Sequence, residues 1–497
     1  MRDDGILGVP QRLFAYIRSR SAERQANNLG VIPYGRARMD LVYRDPHLEV
    51  LDAYFENRQY AHLPEWDEAY GASGYIPVRR RQPRFKGGFA RSFSARVASK
   101  LVGDDVFPSF TIADDPDTTE FLKAVMKVSL LKARILEPCR RMINSGAHFI
   151  RFYIVAGAIK IESFESKYCY PVFNDGGDLE SIVIKYLFDD HSDLNQHGDP
   201  KKKWFKMELG IESEILFDNP EYDPEAKEEP EFREVERVDH GLGFVQGEWL
   251  RTIELEKTPD GFAMGDDLRS FIDELNYSLS QSSQAVSYNQ DPQLTIKGID
   301  SEGVDGLIRS SMRAWNLGRD GEAKFVESSL VGVEKAKELR DNCRLVIQDT
   351  ARIMLMDPEK FVGHAQSARA LELLHGPMLD LIKELRPWLE VRLRSLVIKM
   401  SVAIWDSNQK GIAAPIDIPS GWSPKSLAVD ATWPPVFQLT LSDLKDKVSA
   451  ASSAANSRLI SYETGTRYVA KDFGVEDIEA ERAKIDAQPV INPFGGF

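Results

Sequence analysis

Between Asp266 and Trp388 the chain carries two amphipathic helical patterns of similar length, which leave and return around a short insert, then a third long pattern after a break. In the first, Leu268, Phe271, Ile272, Leu275, Leu279 and Val286 recur at three-, four- and seven-residue spacing, which places them on one helix face. The opposite face, Asp273, Glu274, Ser278, Ser280, Gln281 and Ser282, is polar and short. The second pattern runs over residues 330–356, with Val333, Ala336, Leu339, Cys343, Val346, Ile347 and Ile353 on its stripe. The insert opens with Gln293 to Gly298, a strand signal ending in a turn. Two helices around a small module make a stalk with a tip. A stalk this thin cannot bury its own stripe, so the pattern predicts packing on a neighbouring copy.

Four stretches follow one another in a telling order: Ile272 to Ser283 with Asp291 to Gly298, then Ala365 to Glu372, then Leu459 to Thr464, then Val475 to Arg482. This order resembles the portal proteins of tailed bacteriophages, of siphophage-like type, the ring that forms the head-to-tail connector and DNA entry channel. The first stretch resembles the family's stem helix entering its clip, the second its tunnel helix after the tunnel loop, the last two its C-terminal helices. The resemblance implies an α+β ring subunit. Its parts would be an N-terminal region and β-rich wing over residues 1–262, a stem helix over 263–288 and a small α/β clip over 289–328. A second stem helix would follow over 329–356, a tunnel loop over 357–364 and a long tunnel helix over 365–408. A connection and helical crown would occupy 409–488, and a disordered tail 489–497.

The resemblance also implies roles. Asp357, Glu359, Lys360, Phe361, Val362 and His364 would line the tunnel around DNA, and Arg309, Arg313, Trp315 and Arg319 would meet motor or adaptor at the clip. The assembly would be a homo-oligomeric ring, a dodecamer with heterologous interfaces, at the capsid vertex of the virion and in host cytoplasm during assembly. Its partners would be the terminase large subunit, an adaptor or head-completion protein, the major capsid and scaffold proteins, and double-stranded DNA. No catalysis, cofactor, metal or membrane is expected. Two other readings remain open at this point: an intracellular nucleic-acid-processing enzyme with an unrecognised motif, and a helical scaffold or adaptor protein without a channel. Ring formation separates the first reading from both.

On the second helix Lys337, Arg340, Arg344 and Arg352 are basic, and Arg340, Arg344 and Gln348 form one row four residues apart. They are either a solvated face paired with Glu334, Glu338, Asp341 and Asp349, or, in a ring, belts of positive charge facing duplex phosphates. A second basic run, Arg79, Arg80, Arg81, Arg84, Lys86 and Arg91, holds no acidic residue. It is a solvated loop or a contact to capsid or nucleic acid.

Elsewhere, Asp45-Pro46 starts a helix through Leu48, Leu51, Tyr54 and Phe55, and a helix kinked at Pro138 spans residues 118–144, closed by Gly146. Strands follow at 148–155 and 158–164 around Ala156-Gly157, a hairpin signal, then at 167–173, 180–188, 203–209 and 212–217. Residues 218–240 hold ten acidic and three basic residues with three prolines, and read as an exposed loop. The third long helix has the stripe Leu371, Leu374, Met378, Leu381, Leu385 and Trp388, bent at Gly376-Pro377. Residues 411–436 read as extended connections, and Ser442 and Ser461 as helix caps.

Composition narrows the chemistry. The length of 497 residues predicts ~3 domains. A net charge of −14 argues against a surface that grips nucleic acid, though not against one past which DNA slides. Cys139, Cys169 and Cys343 are far apart and form no disulfide or zinc framework. No stretch carries a signal core or the ~20 apolar residues of a membrane span. No phosphate-cradling GxxxxGK[ST] loop occurs, and no HExxH or GxSxG. His191 and His197 with Asp189, Asp190, Asp193 and Asp199 make the one metal-like cluster, and a solvated loop explains them better.

Overall fold

The computed structural model describes residues 41–66, 76–112, 115–155, 158–174, 176–195, 197–226, 229–255, 258–290, 293–297, 322–326, 331–353, 375–412, 416–424, 428–436, 441–470, 473, 475 and 478–487. They divide into two compact units, one within Met1–Ile353 and Leu381–Trp433, the other within Met354–Asp380 and Pro434–Phe497.

The first unit opens with α1, Leu41–Phe55, in which Leu48, Leu51 and Phe55 are buried at helical spacing. Pro46 lies inside this helix and does not start it. α2, Phe89–Val102, buries Phe93, Val97, Ala98 and Leu101. β1, Ser109–Ile112, leads to α3, Pro116–Val128, which begins with Pro116 behind a capping Asp115 whose carboxylate accepts the Thr118 amide at 2.9 Å. The single helix expected over 118–144 is broken into α3, α4 (Leu131–Arg134) and α5 (Leu136–Ser145). The break is at Leu130, with φ of 54°, not at Pro138. Pro138 falls in the first turn of α5, where a missing amide costs no helical hydrogen bond. Gly146 closes α5 with φ of 88°, and a Cβ there would also run into the Gly261 carbonyl oxygen.

Nearly all the sheet follows. β2 (Ala147–Val155) and β3 (Ala158–Glu165) pair antiparallel from Val155 opposite Ala158, the expected tight hairpin. β4 (Cys169–Phe173), β5 (Leu179–Leu194), β6 (Pro200–Gly210), β7 (Ser213–Phe217) and β8 (Glu234–Asp239) form one antiparallel sheet in that order. β9 (Gly247–Arg251) joins the other sheet, ordered β3-β2-β9. The two sheets share a core that includes Phe149, Cys169, Ile182, Ile184, Leu209 and Trp249. β8 corrects the reading of 218–240 as a loop. Its six residues are all exposed and mostly charged, so only its pairing with β7 marks it as a strand. β5 runs on to Leu194, and Asp190 and Asp193 pair with Lys203 there, both at 2.9 Å. Among the described residues no cluster could hold a metal.

The long helix α6, Met264–Gln290, is followed by β10 (Gln293–Lys297), β11 (Glu322–Val326) and α7 (Val331–Thr350). α8, Gly376–Gln409, starts at Gly376-Pro377, where proline suits a first turn; Leu371 and Leu374 of the expected stripe lie outside the described residues. Met378, Leu381 and Leu385 are buried as expected, but Trp388 is exposed; the stripe continues through Leu389, Leu393, Leu396, Val397, Met400 and Ile404. β12, Val429–Thr432, pairs with β1 inside the stretch read as extended connections. In the second unit, α9 (Leu441–Asn456) packs on α10 (Tyr462–Ala470), and α11 (Ile478–Ala487) follows. Ser461 caps α10, accepting the Thr464 amide at 3.0 Å, whereas Ser442 lies inside α9. Residues 489–497 lie outside the described residues.

Candidate functional site

The two helical patterns expected around a short insert are α6 and α7, with β10 and β11 between them. β10 and β11 pair antiparallel from Gln293 opposite Val326 to Lys297 opposite Glu322, which brings the ends of the two helices together. α7 packs on α6. Leu268, Ile272 and Leu275 of α6 are buried, as is Ile347 of α7. The α7 stripe therefore splits. Ile347 packs inside the subunit and Cys343 is half-buried, while Leu339 and Val346 are 45% and 41% exposed, with Leu345 beside them at 57%. Val286 near the end of α6 is open as well.

The polar face of α6 is only partly solvated: Gln281 is exposed and Asp273 and Glu274 are half-buried. Asn276, Ser278, Ser280 and Ser282 are all buried. α1 and the segment after it lie across this face and bond to part of it, whereas Ser282 Oγ donates to the Ser278 carbonyl of its own helix and Ser278 Oγ has no partner among the described residues. Tyr54 and Tyr60 both donate their hydroxyls to Asp273, at 2.7 and 2.5 Å. Asn276 donates to the Tyr60 oxygen at 3.2 Å and accepts the Gly87 amide at 3.0 Å. Ser280 Oγ accepts the Phe85 amide at 3.1 Å, and the Tyr277 hydroxyl donates to the Arg81 carbonyl at 2.9 Å. Burial, reinforced by the Asp273 carboxylate, pushes the Tyr54 and Tyr60 hydroxyls well above the ordinary phenol range. Much of the basic run is used here. Arg79 pairs with Glu274, and Arg81 is buried with its guanidinium 4.3 Å from the Trp66 ring centroid. Arg91 pairs with Glu56 at 3.1 Å.

The basic residues of α7 separate into two kinds. Lys337 and Arg344 are exposed and Arg340 is half-buried. Among the described residues none of the three pairs with a carboxylate, so the pairing expected with Glu334, Glu338, Asp341 and Asp349 is absent there; Glu338 pairs instead with Lys335 at 2.8 Å. Arg352 leaves the row altogether. The helix ends at Thr350 and not at 356, through amide bonds from Arg352 to the Asp349 carbonyl and from Ile353 to the Gln348 carbonyl. This is a Schellman ending with Arg352 at its left-handed position, φ 52°. Its guanidinium meets Glu384 of α8 at 2.8 Å.

Asp357, Glu359, Lys360, Phe361, Val362 and His364 lie outside the described residues, as do Arg309, Arg313, Trp315 and Arg319. What the sequence reading missed is the cover on α6. The run of hydrogen-bonding side chains from Asn276 to Ser282 does not announce it, because water would satisfy the same groups.

The family model described as phage portal protein, SPP1 Gp6-like, matches residues 43–381, from α1 to the start of α8. Two solved structures are similar at 11% sequence identity. One chain is from the structure described as the virion of a native gene transfer agent (GTA) particle, with a TM-score of 0.43, covering 91% of this chain and 98% of that one. The other is from the neck of an empty GTA particle computed with C6 symmetry, with a TM-score of 0.42, covering 80% and 90%. No curated protein matches.

Proposed function

The chain belongs to the SPP1 Gp6-like phage portal protein family, and from that premise we propose that it forms the ring channel at a capsid vertex through which double-stranded DNA is packaged and ejected. The family match over the whole stretch from α1 to α8 carries this reading. The half-open stripe on α7 supports it, because an apolar face left exposed in one subunit is covered when a second copy packs on it. In the ring of twelve copies proposed here, each exposed basic position of α7 is repeated once per copy. α7 carries four acidic and four basic residues, so belts at Arg340 and Arg344 attract phosphate without a strong net field, which suits sliding. The tip beyond β10 and β11, with Arg309, Arg313, Trp315 and Arg319, would dock the terminase motor and later the adaptor. Major capsid and scaffold proteins would surround the ring. Residues 357–364 would form the tunnel loop around DNA.

The test is deletion of residues 359–362, or Lys360→Ala, in particles assembled with the variant. Rings should form as before while nuclease-protected DNA per particle falls. Normal DNA content with the deletion would remove the segment from the channel.

A further inference from the structure

The two sheets enclose a cleft that the channel reading leaves unused. It has a volume of about 590 Å³, within the range of sites that enclose a ligand or a short segment of chain. Phe164, Tyr186, Phe205, Met207, Leu216 and Val238 give it an apolar floor, with Tyr186 and Phe205 stacked at 4.9 Å. Its charge is acidic. Among the described residues Glu162, Glu214 and Glu236 line it against one cation, Arg151, which bridges Glu162 at 3.2 Å and Glu214 at 2.6 Å. The Oε1 atom of Glu214 is enclosed and accepts no hydrogen bond among the described residues.

β8 borders this cleft through Glu236 and Val238 and is the last strand of its sheet, so one of its backbone edges has no partner strand among the described residues. Glu234, Glu236, Arg237 and Asp239 make it net acidic. Like charges disfavour pairing of β8 with β8 of another copy, whereas an extended basic segment would gain both the backbone ladder and the charge match.

This chain holds such a segment. Between Gly5 and Ala22 there is no acidic residue, and Arg12, Arg18 and Arg20 flank Leu13, Phe14, Tyr16 and Ile17. The described chain begins at Leu41 beside the same sheet: Asp45 accepts from the Tyr170 hydroxyl on β4 at 3.2 Å, and Tyr168 lies 5.3 Å from Tyr186 in the cleft. Residues 21–40 would span up to ~70 Å if extended, so distance does not limit the choice.

We propose that residues 12–20 of this chain dock along β8 as an added strand, with apolar side chains on the aromatic floor and arginines against Glu162, Glu214 and Glu236. The proposal does not rest on the channel reading. The test is a photoreactive phenylalanine analogue in place of Phe14 in the full chain, with cross-linked peptides identified by mass spectrometry, with and without duplex DNA. Cross-links should fall on peptides from 160–190, 203–217 or 234–239, and Arg12→Glu, Arg18→Glu and Arg20→Glu together should cut their yield several-fold. Deletion of residues 1–22 should also speed amide exchange in β8, which is read independently of any point variant. Cross-links chiefly elsewhere, to DNA or to another protein would overturn the proposal. So would no cross-link, a yield indifferent to charge reversal, or unchanged exchange in β8.

Discussion

Asp273 sits where two tyrosine hydroxyls meet, and neither comes from its own helix. A half-buried carboxylate that accepts two hydroxyls ties α6 to α1 and to the segment that follows it. A hydrogen bond to a charged group contributes about 1.5–3 kcal/mol. Tyr60→Phe and Asp273→Asn should each lower unfolding free energy on that scale, and their double variant should lose less than the sum. Additive losses in denaturant titration would mean that the pair is not coupled. His148 gives a second residue-scale test. It is buried, neither ring nitrogen has a hydrogen-bond partner among the described residues, and burial, with Arg141 nearby, pushes its pKa down from 6.5 to about 3. The unfolded chain then binds more protons than the folded one between those values. The stability that neutral His148 permits is present above pH 6.5 and is lost as pH falls below it, at a slope approaching about 1.4 kcal/mol per pH unit. His148→Phe should flatten that part of the stability profile between pH 6.5 and 5; an unchanged slope would assign it to other groups. Neither site was legible in the sequence. Tyr54 and Tyr60 lie more than two hundred residues before Asp273, and a run such as Asn276 to Ser282 reads the same whether water or backbone satisfies it.

Periodicity did better with elements, where one face decides the structure. The hairpin around Ala156-Gly157 and the helix from Met264 were legible, because alternation or helical spacing there matches burial, and the strand at Gln293 was legible from its composition, though its partner β11 was not. β8 was hidden because an exposed edge strand of charged residues carries no burial signal. The break at Leu130 was hidden because a left-handed leucine has no composition cue, whereas the proline that drew notice sits harmlessly in a first turn. The stripes of α6 and α7 were legible as stripes but not in their division between buried core and open surface. That division makes a sharp prediction. Leu275 is buried within the subunit, so Leu275→Asp buries an unpaired carboxylate and should cost several kcal/mol of subunit stability, on the order of 3–5 kcal/mol. Leu339 is 45% exposed, so Leu339→Asp should leave subunit unfolding nearly unchanged and instead block assembly. Thermal denaturation alongside mass measurement separates the two. Equal destabilisation by both would show that the exposed half of the stripe is core.

At the scale of the whole molecule, the chain combines a net charge of −14 with local basic positions on α7. Arg344→Glu should lower DNA packaging most at low salt, because phosphate attraction weakens as ionic strength rises. Wild-type packaging at every salt would place Arg344 away from DNA. All of this depends on copies closing around an axis. The decisive measurement is the mass and image of the purified protein at micromolar concentration, with scaffold protein present as well as absent, by native mass spectrometry and electron microscopy. A closed ring of identical copies, twelve of the 56.1 kDa chain, is the expected result, with Leu339→Asp failing to close. A strictly monomeric or dimeric protein under every assembly condition would contradict the channel reading.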